Sequence, residues 1–154
     1  MASFDLENPA FTAYLVASAL MVLKIMGQGW MTVYRMTRSQ EGLASPEDLR
    51  PGPYNRKPDP SQLQPSDYVE RSRRIHRNDL ENIPAFFAAG LLFVAVAPPL
   101  LLVQILMYGF ALARVLHTIA YATAQRHEIR SIPYTIGSLI VIFMALWVLG
   151  AVLL

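Results

Sequence analysis

Residues 67–97 read DYVERSRRIHRNDLENIPAFFAAGLLFVAVA. The stretch starts strongly polar and ends almost wholly apolar. Asp67 followed three residues later by Glu70 is a helix-start pattern, so a long helix is expected from about Ser66 to Ala97. Pro98-Pro99 forces its end, because proline removes a backbone donor and restricts the residue before it. The apolar part, residues 83–97, reaches only about 22 Å at ~1.5 Å per residue. A bilayer's hydrocarbon is ~30 Å thick. A helix that crosses it here must borrow residues 74–82. Its first half then leaves the membrane, and its middle enters at headgroup depth or deeper with polar groups facing protein.

The flanking sequence supplies the reason to expect a membrane. Residues 10–33 are apolar apart from Lys24 and Gln28, and Asn8-Pro9 in front reads as an N-cap followed by proline at the first helical position. Residues 100–122 carry only Arg114 and His117 as ionisable groups, and residues 132–154 carry no charge. Each block is long enough to span. A cleaved leader is a poor reading of the first block, which is too long and follows acidic Asp5 and Glu7. Across all 154 residues, 54% are hydrophobic and 16% charged, so the low hydrophobicity of disordered chains is excluded. The net charge of +2, with no lysine-rich patch, argues against a nucleic-acid partner. The absence of Cys excludes a disulfide framework, a thiolate metal site and a cysteine nucleophile.

The expected fold is therefore an all-α integral membrane protein, one membrane domain over residues 1–154. It is a four-helix bundle with spans at about 10–33, 67–97, 100–122 and 132–154 and a loop at about 34–66. Cations cluster after the first span (Arg35, Arg38, Arg50, Arg56, Lys57, Arg71, Arg73, Arg74, Arg77) and before the last (Arg126, Arg130), while the opposite side has none. That asymmetry puts the loop in the cytoplasm and both termini outside.

Polar residues inside spans cost free energy and usually mark a site. Arg114, His117, Thr118 and Tyr121 share one helical face, as do Arg74, Asn78 and Glu81 with Arg77 alongside, and Ser131, Tyr134, Thr135 and Ser138 with Arg130 just before. All three stripes lie at the cytoplasmic ends, where they are expected to converge. Several arginines suit carboxylates or phosphates, and Glu81 suits an ammonium. A small zwitterion with excess carboxylate, or a phosphorylated ligand, matches that inventory. A metal does not, because the His and acidic residues lack compact ligand spacing. Blander uses compete: Arg71 and Arg73 at lipid headgroups, Arg77 and Glu81 as an i,i+4 ion pair, Tyr121 and Tyr134 in an aromatic belt, and His117 as an interhelical hydrogen bonder. Lys24 reads as a snorkelling or neutralising group, His127 as a solvated loop residue, and His76 as pointing off the stripe.

The run Val69-Glu70-Arg71-Ser72-Arg73-Arg74-Ile75-His76-Arg77-Asn78-Asp79-Leu80-Glu81-Asn82 resembles the signature of the membrane-associated proteins in eicosanoid and glutathione metabolism. Matching stretches are Tyr34-Arg35-Met36-Thr37-Arg38, Ala44-Ser45-Pro46-Glu47-Asp48, Ala113 to Tyr121, and Arg130-Ser131-Ile132-Pro133-Tyr134-Thr135, so the resemblance covers nearly the whole chain. It implies a homotrimer with glutathione between subunits at the cytoplasmic end. The residues matching glutathione contacts are Arg35, Arg74, Arg77, Asn78, Glu81, His117, Tyr121, Arg130, Ser131 and Tyr134. Arg130 and Ser131 match positions proposed to stabilise the thiolate, and Asp48 a proposed proton-transfer carboxylate. The implied function is conjugation of glutathione to lipophilic electrophiles drawn from the bilayer, with reduction of lipid hydroperoxides as a companion. The membrane would be the endoplasmic reticulum in a eukaryote or the inner membrane in a bacterium. The alternatives are isomerisation of a prostaglandin endoperoxide and a non-catalytic lipid-binding or scaffold role. Ser138 stands where the prostaglandin synthase branch has glutamine, and residues 54–66 are longer than in that branch. Two residues are inserted between Arg38 and Ala44, which leaves both Arg35 and Arg38 open as the match to the ligand arginine.

Overall fold

The computed structural model describes residues 4–154, so the first three residues of the expected domain lie outside the described ones. Four α-helices run along the chain: α1 (Pro9–Ser39), α2 (Asp67–Ala95), α3 (Leu100–Ala122) and α4 (His127–Leu153). The loop between α1 and α2 holds two short 3₁₀ turns, Pro46–Leu49 and Pro60–Leu63.

Local chemistry sets the helix ends. Asn8 caps α1 by accepting a hydrogen bond from the Ala10 amide at 3.0 Å, with Pro9 in the first turn. The helix runs on past residue 33 to Ser39 and closes on Gln40 in the left-handed conformation (φ 53°). At α2 the cap residue is Ser66, with Asp67 and Glu70 both in the first turn. The Ser66 hydroxyl donates to the Glu41 carboxylate at 2.9 Å and so ties the loop to the helix start. α2 stops at Ala95, before Ala97 (φ 51°) and the two prolines. α4 starts at His127, which places Arg130 and Ser131 on the helix rather than ahead of it. Its start was expected near residue 132, because Ile132 begins the uncharged run. Helix formation does not need an apolar face, and the polar first turn simply projects beyond the apolar part.

Three helices (α1, α3, α4) are long and apolar enough to cross a membrane by themselves, and α2 is not. What carries α2 is its packing: it contacts all three others, while α1 and α4 do not touch. The polar positions of α1 line up against it. Lys24, Gln28, Thr32 and Arg35 recur at helical spacing and meet Asp79, Ser72, Ser72 again and the Tyr68 carbonyl, in antiparallel order. Gln28 donates to the Ser72 hydroxyl at 2.7 Å, and Thr32 lies 2.8 Å from the same oxygen. In a bilayer such groups have no water to turn to, so polar side chains on one helix require them on its neighbour. Nearer the other end the contact turns apolar. Phe86 stacks on Phe110 with centroids 4.1 Å apart, among Met21, Ile83, Phe93, Met107 and Met144. Gly90 lets the Tyr14 ring approach, since a Cβ there would lie 3.1 Å from it.

A polar cleft at the loop end of the bundle

α3 ends and α4 begins at the loop end, after a short turn, so their polar faces open side by side. Asn78, His117, Tyr121, His127, Arg130, Ser131 and Tyr134 line a cleft of about 180 Å³ there. His117 is buried, its ring centroid 4.8 Å from that of Tyr121 and 6.3 Å from that of Tyr134. The Arg130 guanidinium lies over the Tyr121 ring at 4.5 Å. That face-on contact fixes it in place without using its N–H donors. Its Nε is buried and has no hydrogen-bond partner. Ser131 donates its hydroxyl to the Glu128 carbonyl at 2.9 Å, which leaves its oxygen lone pairs free to accept. The cleft thus presents one cation with an unused donor, a hydroxyl, two phenols and two imidazoles.

The three expected stripes do not converge whole. α2 contributes Asn78 alone. Arg74, Arg77 and Glu81 are exposed, and among the described residues none of them forms an ion pair or hydrogen bond. They lie opposite the face that buries Ser72, Ile75, Asp79, Asn82, Ile83 and Phe86, so the spacing that put them in line also turns them outward. Arg77 opens on another groove, between α1 and α2, together with Gly29, Arg73 and His76. His127 is on α4 and lines the cleft, a correction to its reading as a loop residue. Arg35 is buried, donates to the Tyr68 carbonyl at 3.0 Å, lies 4.6 Å from that ring's centre and keeps an unpartnered Nε. Arg38 is exposed and donates to the Tyr34 hydroxyl at 2.6 Å. Asp48 is exposed in the first 3₁₀ turn, accepting from the Ser45 amide at 3.1 Å, and lines a loop pocket with Glu47 and Arg50 that shares no residue with the cleft.

Behind the cleft is a group that spacing did not single out. Asp79 is wholly buried, with Lys24 Nζ at 2.5 Å from one oxygen and Arg114 at 2.7 Å from the other. The same Arg114 nitrogen donates to Asn78 Oδ1 at 2.7 Å and lies 3.4 Å from His117 Nδ1. The signal was in the sequence: two cations inside apolar spans demand an acid at their depth, and Asp79 directly follows Asn78.

A model of the MAPEG family matches residues 11–150. The chain belongs to the MAPEG family. Prostaglandin E synthase of Macaca fascicularis is 34% identical over 149 residues, covering 96% of this chain and 93% of that protein. Prostaglandin E synthase of Homo sapiens has the same identity and coverage. Microsomal glutathione S-transferase 1 of Bos taurus is 34% identical over 141 residues, 91% of this chain and 89% of that one. These MAPEG relatives are enzymes of two kinds, and the chain is equally identical to both.

Proposed function

We propose that this protein is a glutathione-dependent membrane transferase that binds glutathione at the loop end, ionises its thiol and conjugates it to lipophilic electrophiles from the bilayer. The supporting observation is the cleft, where Arg130 is clamped over Tyr121 with a donor unused and Ser131 lies beside it. Glutathione has two carboxylates and one ammonium. The exposed Arg74, Arg77 and Glu81, free of internal partners, match those charges, and Asn78, His117, Tyr121 and Tyr134 supply polar contacts. Arg35, with its own free Nε, completes the set. A thiol of pKa ~8.5 beside a cation ionises more readily near neutrality. In this role Arg130 faces the sulfur, and Ser131 turns its hydroxyl from the Glu128 carbonyl to donate to it. The thiolate then attacks the electrophile, and it can also reduce lipid hydroperoxides.

A cleft of about 180 Å³ is small against the ~300–1,000 Å³ of ordinary ligand pockets. It holds part of a tripeptide. A second copy of the chain would supply the rest, consistent with a homotrimer whose sites lie between subunits. The loop and this end of the bundle would face the cytoplasm, a placement the cation asymmetry supports. The second reading, isomerisation of a prostaglandin endoperoxide with glutathione as cofactor, rests on the 34% identity to prostaglandin E synthase. Asp48 would then move a proton.

Turnover of a chromogenic electrophile with glutathione in detergent tests the leading reading. Arg130→Ala is expected to lower kcat/KM by about 100-fold, and Ser131→Ala by about ten-fold, the scale of losing one charged or one neutral hydrogen bond. Unchanged rates in both variants would remove the thiolate assignment. Prostaglandin E formed from the endoperoxide above the uncatalysed rate, with no conjugation, would favour the second reading.

A further inference from the structure

The cluster of Lys24, Asp79 and Arg114 holds two cations and one anion. Arg114 and Asp79 are wholly buried, and the Lys24 side chain is 12% exposed. One positive charge is therefore left uncompensated inside the bundle. Arg114 spends one nitrogen on Asp79 and Asn78, and its Nε and other terminal nitrogen have no partner. Its stem passes α4 at Gly137, where an added Cβ would lie 3.7 Å from Arg114 Cδ. Burying charge is costly, and a balanced or apolar cluster would hold the helices as well. The arrangement is economical only if the excess charge acts on something nearby. One hydrogen bond away stand Asn78 and His117, both on the cleft wall.

We infer that Lys24, Asp79 and Arg114 are positioning residues of the cleft: Arg114 fixes Asn78 and His117, and the triad's net positive charge favours the thiolate of a ligand bound there. This rests on the glutathione reading above and deepens it. The other ionisable groups facing the cleft are His117 and Tyr121 on α3 and His127, Arg130 and Tyr134 on α4, with Arg74, Arg77 and Glu81 exposed on α2. None of them changes in the variants proposed here. Lys24 is on α1, which contributes no residue to the cleft wall, so its charge reaches the ligand through the field and through the Asp79–Arg114 contacts, and the double variant separates the two. The proton released on ionisation goes to solvent.

The experiment titrates the ultraviolet absorbance of the thiolate of bound glutathione in the detergent-solubilised full-length protein, with calorimetry to establish binding. Lys24→Met makes the triad neutral. It is expected to raise the pH of half-ionisation by roughly one unit, the effect of one charge ~10 Å away at an effective dielectric constant of ~20. Lys24→Met combined with Asp79→Asn restores the excess charge on Arg114 and is expected to bring the midpoint back toward wild type. Lys24→Arg should leave it in place. A merely structural role predicts the reverse for the double variant, which removes both salt bridges. Should Lys24→Met not assemble, Lys24→Gln, which keeps a donor for Asp79, takes its place with the same expectation. An unshifted midpoint in the neutral variant, or a double variant displaced as far as the single, overturns the inference and leaves the glutathione reading standing. Wild-type protein that binds no glutathione overturns both.

Discussion

Gly42 shows how single residues set the loop that carries Asp48. Its φ is +63°, and a Cβ there would lie 3.1 Å from that of the wholly buried Val69. Arg73 donates to its carbonyl at 2.6 Å while also pairing with Glu70, so the loop's first turn is fastened to α2 through this residue. Gly42→Ala combines a left-handed backbone, ~1–2 kcal/mol for an ordinary residue, with a contact that Val69 must yield to. We expect it to lower stability by about 1–2 kcal/mol, read as an earlier thermal transition in detergent, and to speed proteolysis within residues 43–65. Wild-type values for both would mean that the loop is held elsewhere. Individual residues were unevenly legible in the sequence. That His117 and Tyr121 on α3 and Ser131 and Tyr134 on α4 line one cleft was legible because a shared helical face is visible as spacing, and Arg130 precedes its stripe by one residue. Asp79 was not, because its importance depends on Lys24 and Arg114, which lie 55 and 35 residues away.

Among the elements, α2 was the most informative and the least complete reading. Its length, its polar first half and its end at the prolines follow from composition and backbone chemistry alone. Which face turns inward does not, because residues 66–82 offer polar groups all round and no apolar stripe to orient them. Packing against α1 decides the matter: Ser72 and Asp79 find Gln28 and Lys24, and Arg74, Arg77 and Glu81 are left outside. Gln28→Leu tests whether this seam orients the helix. It removes two donated bonds but leaves Ser72 its contact with Thr32. Interhelical hydrogen bonds in membranes contribute ~0.6–2 kcal/mol, so a loss of about 1 kcal/mol is expected in unfolding from detergent micelles. A gain in stability would show that apolar packing alone holds α1 on α2.

At the scale of the whole molecule, the chain divides its own chemistry. Cation, hydroxyl and imidazole groups gather where α3 meets α4, while Arg35 and Asp48 belong to α1 and the loop. α1 and α4 make no contact, and Asp48 and Arg130 line pockets that share no residue. The proposed site uses both sets and would draw them from two copies, and an interface between different surfaces of identical subunits gives a closed ring when its rotation closes. Subunit mixing tests this directly. Asp48→Asn and Arg130→Ala chains, each expected to lose at least ten-fold in activity as homo-oligomers, are co-expressed with distinct tags and purified through both. If every site takes Asp48 from one subunit and Arg130 from its neighbour in a ring of three, each mixed ring that passes both purifications has about one site in three intact. If each chain carries a complete site, every site in the mixture holds one defect, and activity stays at the average of the two homo-oligomers. Recovery well above that average places the active site between subunits. Its absence returns Asp48 and Arg130 to the site of one and the same chain.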